Sequence, residues 1–134
     1  KIDEAIVHFR RAIEIDPDVP FPYQQLAQLF RGQGKTSQAA EYDEQARKAS
    51  RRYAKIHNLR GAELAQQGKT REAIAQFQMA VTAAPDDALA HCHLADALAQ
   101  LGDIDNAIAH YRQALEIDPN LAPAQQGLER LSNP

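Results

Sequence analysis

The chain has 134 residues, 44% of them apolar and 25% charged, with a formal net charge of −3. That length and mix fit one globular domain; the negative balance argues against a chain built as a whole to bind nucleic acid, and no apolar run is long enough for a membrane-inserted helix or a signal peptide. The single cysteine excludes an internal disulfide and leaves the compartment open.

The first segment, "KIDEAIVHFRRAIEIDP", has no initiator Met and starts inside a helical pattern. It reads as a second helix cut from a longer protein, so residues 1–19 are assigned to a truncated N-terminal repeat. Ile2, Ile6, Phe9 and Ile13 make an apolar stripe that must be buried somewhere. An exposed stripe there supports truncation, or a homo-oligomer formed through this helix.

Residues 20–53 begin with "YQQLAQLF", which carries helical spacing, and continue into "RGQGKT". Gly34-Lys35-Thr36 looks like the end of a phosphate-binding loop, and the tripeptide returns at Gly68-Lys69-Thr70. The full pattern needs a glycine five residues earlier; those positions hold Leu29 and Glu63, and no strand-like run precedes either. The tripeptide belongs instead to a period. Gly34, Gly68 and Gly102 are spaced by 34, and so are Ala5, Ala39, Ala73 and Ala107, then Ala12, Ala46, Ala80 and Ala114. Pro17, Pro85 and Pro119 keep the same register, with Arg51 in the missing place, and Phe9, Phe77 and Tyr111 form an aromatic column with Asp43 as its exception. Units therefore span 20–53, 54–87 and 88–121, and residues 122–134 are left for a closing helix.

Each unit reads as two helices. In the third, His91, Leu94, Ala95 and Leu98 share one face before Gly102 stops the helix. Thr36, Thr70 or Asp103 then offers an N-cap for the next helix. Ala107, Ile108, Tyr111, Ala114 and Leu115 form the second stripe, and Pro119 ends it by disfavouring helix at Asp118. The second helix of the 20–53 unit departs from this pattern, with Asp43, Arg47 and Arg51 at apolar or proline places and no Gly or Pro between Lys35 and Arg60. Two readings stand. The kept spacing favours a turn near Arg51–Tyr53; the lack of breakers favours one rod over 37–66.

These columns resemble the tetratricopeptide repeat family. The third unit matches at Leu94, Ala95, Leu98, Gly102, Ala107, Tyr111, Ala114 and Pro119. The second matches at Gly61, Leu64, Gly68, Ala73, Phe77, Ala80 and Pro85, and the first at Tyr23, Leu26, Ala27, Phe30, Gly34, Ala39 and Ala46. The resemblance implies an all-α, right-handed α-solenoid of antiparallel helical hairpins. It also implies a concave wall, made by the first helix of each unit, that binds extended peptides or partner helices. That wall would show Phe21, Gln24, Gln28 and Arg31, then Lys55, Asn58, Ala62 and Ala65, then Leu89, Cys92, Asp96 and Ala99. Leu59 and His93 flank it, and Gln66 and Gln100 lie at its end. Its amides can pair with a peptide backbone as donors and acceptors. Co-chaperone members of the family clamp terminal carboxylates with lysines, arginine and asparagines. The matching positions, Gln24, Gln28, Leu59, Leu89 and His93, lack the cations, and a shift by one unit does not supply them. No carboxylate clamp is expected.

No catalytic, cofactor or metal site emerges. His91, Cys92 and His93 are consecutive on a helix and point about 100° apart, so they cannot converge on one ion. His91 falls on the packing column of Tyr23 and His57, and Cys92 reads as an ordinary thiol on the groove wall. The basic run Arg47, Lys48, Arg51, Arg52 and Lys55 reads first as a solvated helix surface and second as a patch for an acidic partner. It lacks the aromatic platform of a nucleic-acid site. The reading is a non-catalytic protein-interaction scaffold with a Gln-rich groove. Self-association, or a substrate-recruiting arm of an enzyme whose catalytic domain lies elsewhere, are the alternatives.

Overall fold

The computed structural model describes residues 1–133. Their regular structure is helical throughout, in the order α1 (Ile2–Ile15), α2 (Pro20–Gly32), α3 (Thr36–Gln66), α4 (Thr70–Ala83), α5 (Ala88–Leu101), α6 (Ile104–Ile117) and α7 (Ala122–Ser132). The proposed closing helix over 122–134 corresponds to α7, and residue 134 lies outside the described residues. The chain separates into two compact units, Lys1–Tyr53 and Ala54–Pro134.

Local chemistry explains the turns. Gly34, Gly68 and Gly102 have φ of +73°, +77° and +88°, a conformation in which a Cβ would collide with the backbone. Each makes the same two bonds. Gly102 N–H donates to the Ala99 carbonyl at 3.0 Å, and Asp103 N–H reaches back to the Leu98 carbonyl at 2.9 Å; Gly34–Lys35 and Gly68–Lys69 repeat this geometry at 3.0 and 2.9 Å. This double bond closes a helix end by satisfying its orphan carbonyls. "GKT" is thus a helix stop, and the Lys35 ammonium lies over the Phe30 ring, 5.6 Å from its centre. The N-cap expectation is not met. α3 and α4 start at the threonines themselves, and Asp103, though at an N-cap, makes no cap bond and accepts instead from the Asn106 side chain at 2.8 Å.

The preferred turn at Arg51–Tyr53 is also absent. α3 runs unbroken through these residues; the proline or left-handed glycine that follows the ends of α1, α2, α4, α5 and α6 does not occur there. The consequence is visible in a series of ties. Tyr23 Oη donates to the Pro17 carbonyl at 2.9 Å, His91 Nε2–H to that of Pro85 at 2.9 Å, and Gln125 Nε2–H to that of Pro119 at 2.7 Å. All three span six residues. At the equivalent His57 the sixth residue back is Arg51, inside α3, and His57 Nδ1 lies 2.6 Å from Gln76 Oε1.

The first unit buries Ile6, Leu26, Phe30 and Ala39 in one cluster, with Phe9, Ile13 and Tyr42 packed against it, and Tyr23, Ala46 and Ala49 in another. This corrects the expectation that the α1 stripe is exposed. Ile6 is buried and Phe9 and Ile13 are half-buried, so only Ile2 of the four faces solvent. The stripe therefore gives no support to oligomerisation. Phe30 stacks on Tyr42 at 5.5 Å, while Asp43, in the aromatic column, forms a surface ion pair with Arg31. The stretch of α3 within this unit buries only alanines. Each large side chain it lacks forgoes about 1.5–3 kcal/mol of burial. Hydrogen exchange over residues 40–53 is therefore expected to run about tenfold or more faster than over 104–117; equal protection would contradict this.

The second unit packs Ala73, Ile74, Phe77, Cys92, Leu94, Ala95, Leu98, Ala107, Tyr111 and Ala124 into its main core. At its α5–α6 hairpin the rings of His91 and His110 stack at 5.4 Å, with their Nδ1 atoms 3.1 Å apart. Since His91 Nε2–H donates to Pro85, neutral His91 accepts at Nδ1 and His110 donates. Burial, then the neighbouring His91, lowers the His110 pKa. An unfolded imidazole titrates near about 6.5. The unfolded chain therefore takes up protons first as pH falls, and stability present above that value is lost as pH falls through the folded one. Melting temperature should decline from pH 7.5 to 5.5, and less steeply in His110→Gln. Parallel declines would remove His110 as the cause.

Candidate functional site

Small side chains on neighbouring helices leave room between them. In the second unit, Ala62 and Ala65 of α3 face His93, Asp96, Ala97 and Gln100 of α5 across an open pocket of about 200 Å³, which Phe77 of α4 also lines. Phe77 owes its position to Gly61. A Cβ there would stand 2.6 Å from the ring, closer than carbon atoms pack. Phe77 also contacts the His93 ring at 5.5 Å between centres.

Asp96 is the charged group of the pocket. The Tyr111 hydroxyl, from the buried face of α6, donates to its Oδ1. Burial, reinforced by that carboxylate, raises the Tyr111 hydroxyl far above its ordinary range, so it remains a donor at neutral pH. His93 Nδ1 is buried with no hydrogen-bond partner, and so is Asn58 Oδ1. A buried polar atom left unpaired is costly.

Of the residues read as a groove, Ala62, Ala65, His93, Asp96 and Gln100 come together in this pocket. Phe77, which its spacing marks only as packing, and Ala97, which the sequence pattern leaves unassigned, join them. Lys55, Leu59 and Gln66 on α3 and Leu89 on α5 are exposed outside it, and Asn58 is half-buried. Gln24, Gln28 and Arg31 are exposed on α2, in the first unit, and Arg31 is engaged by Asp43. Cys92 is a correction. It is fully buried rather than on a groove wall, because α5 is packed against α4, α6 and α7. Burial, with a smaller contribution from Asp96, pushes its thiol up to about 11, which leaves it protonated and a poor nucleophile at neutral pH.

The basic run is partly spent on local pairs. Arg47 bonds Glu44 one turn away and holds that carboxyl below its usual range. Arg52 reaches Asp18 at 2.7 Å and the Pro17 carbonyl at 3.0 Å. Lys48, Arg51 and Lys55 are exposed.

The repeated glycine stops, proline-ended helices and paired stripes carry the family assignment. Tetratricopeptide repeat models match residues 59–122 and residues 1–19. The chain belongs to the tetratricopeptide repeat family. Solved tetratricopeptide-like structures superpose on it over most of its length. MamA aligns at 21% identity over 97% of this chain and 76% of that one, with a TM-score of 0.58. YrrB, described as a TPR protein with an unusual peptide-binding site, aligns at 21% identity over 97% and 67%, with a TM-score of 0.57. The first TPR of Spaghetti (RPAP3), bound to an HSP90 peptide, aligns at 19% identity over 84% and 90%, with a TM-score of 0.59. At such identities the likeness is one of fold. No curated protein matches the sequence. No helix of this tetratricopeptide chain among the described residues is long and apolar enough to cross a membrane.

Proposed function

We propose that this tetratricopeptide chain is a non-catalytic interaction scaffold that holds an extended peptide along the α3–α5 wall of its second unit. The pocket between Ala62, Ala65, Phe77, His93, Asp96 and Gln100 is the observation that carries the reading. It combines a mostly apolar lining with a few convergent polar groups, the usual make-up of a ligand site. Asn58, half-buried with an unpaired Oδ1, and Gln66, exposed at the end of α3, supply amides for a peptide backbone. Tetratricopeptide relatives bind peptides, as the HSP90-peptide complex illustrates. Gln24 and Gln28 offer a separate polar surface on α2, and Lys48, Arg51 and Lys55 a secondary contact for acidic partners.

The test uses immobilised random decapeptides as the probe. Ala62→Leu with Ala65→Leu fills the pocket without changing charge and should weaken retention of selected peptides about tenfold or more, with the helical signal unchanged. Gln24→Ala with Gln28→Ala should alter it far less. If the filled variant binds as the parent does, the pocket is not the site; if the α2 variant alone loses binding, the groove lies in the first unit.

A further inference from the structure

We propose that the pocket of the second unit is specific for a basic side chain, a lysine or arginine carried by the bound peptide. The inference rests on the peptide reading above and names the residue class that the site selects.

The lining has two parts that together match such a side chain. Ala62, Ala65, Ala97 and Phe77 form apolar walls along which a methylene stem can lie, leaving its charged head free. Asp96 provides the other end. Its Oδ1 is held by the Tyr111 hydroxyl, which fixes the carboxylate before any ligand arrives. Asp96 has no cationic partner within 4.0 Å among the described residues; Arg31, Arg47 and Arg52 pair with Asp43, Glu44 and Asp18 instead. Arg130 likewise forms no ion pair with the carboxylate, though its charge acts on the Tyr111 hydroxyl. The half-buried Asp96 thus presents a pre-oriented carboxylate, without a salt-bridge partner, beside an apolar slot. Gln100, exposed on α5, lines the same pocket and adds an amide oxygen as acceptor for an ammonium or guanidinium.

The unit as a whole carries the same sign. Residues 54–134 hold ten Asp and Glu against six Lys and Arg, a balance that favours cations over carboxylates. A neutral aliphatic side chain can fill the slot but leaves Asp96 partly desolvated without a counter-charge. An acidic one places like charges together. A charge-assisted bond is stronger than a neutral one, so selectivity belongs to the charged head rather than the stem.

The experiment compares four decapeptide pools, random except for one fixed residue: lysine, arginine, norleucine or glutamate. Binding to the intact chain is read by fluorescence polarisation at two salt concentrations. The lysine and arginine pools should bind about tenfold or more tighter than norleucine, with glutamate weakest and the gap narrowing as salt rises. Asp96→Asn keeps an oxygen for Tyr111 and should reduce the basic pools to the level of norleucine. Gln100→Lys, at an exposed position, should disfavour the basic pools and favour glutamate; it decides the matter if Asp96→Asn misfolds. Equal binding of lysine and norleucine pools, or basic preference surviving in both variants, overturns the specificity while leaving the peptide site in place. Binding of no pool, or binding untouched by Ala62→Leu with Ala65→Leu, removes the peptide site itself and the specificity with it.

Discussion

Arg51→Pro is expected to break α3 and to lower the stability of the chain by about 3 kcal/mol or more. Residue 51 stands in the register of Pro17, Pro85 and Pro119, where proline follows a helix end. Here it stands inside α3. A proline ring there removes one helical hydrogen bond and meets the carbonyl of Arg47, four residues back. Arg51→Ala is the control. The side chain is exposed and alanine is a good helix former, so stability should change by no more than about 0.5 kcal/mol. Urea unfolding gives the free energies, and backbone chemical shifts over 47–55 report the break. An Arg51→Pro variant as stable as its parent would mean that the turn costs nothing to form, and that the unbroken helix is not the preferred state.

Gly127→Ala should be destabilising by about 1–3 kcal/mol, although helix propensity alone points the other way. In an open helix, alanine in place of glycine gains about 1 kcal/mol. At Gly127 the added carbon would lie 2.3 Å from Tyr111 Cζ and 2.7 Å from its Oη. The ring cannot retreat, because it is fully buried and its hydroxyl is held by Asp96. Either α7 lifts away or Tyr111 leaves its carboxylate. Loss of exchange protection in residues 122–132 identifies the first outcome, and a fall in the Tyr111 pKa toward that of free tyrosine the second. A rise in melting temperature would show that α7 does not pack on Tyr111 this closely.

Most helices and their stops were legible because they rest on local chemistry. A glycine in left-handed conformation, a proline two residues past a helix and a stripe of apolar residues each act within a few residues. The run through Arg51–Tyr53 was harder, since two signals conflicted. The 34-residue register argued for a turn, while the composition contained nothing able to make one, and composition prevailed. Cys92 is misplaced by spacing for another reason. Its face of α5 reads as solvated, but α5 is packed by three helices, and its covered arc is wider than one stripe. The pocket was only half legible. Ala62, His93, Asp96 and Gln100 follow from helical spacing. The participation of Phe77 depends on the missing Cβ of Gly61, and the anchoring of Asp96 on a tyrosine 15 residues away. Spacing within one helix reports neither.

The ties at Tyr23, His91 and Gln125 imply a rule about what evolution can vary here. A phenol, an imidazole and an amide perform one task, so the position specifies a reach and a proton rather than a residue. Any side chain that spans the gap and can donate is a synonym at that place, and an aliphatic one of equal volume is not. Where no turn exists, the rule lapses. His57 keeps the vocabulary of its column but bonds Gln76 Oε1, across to α4 instead of back along its own chain.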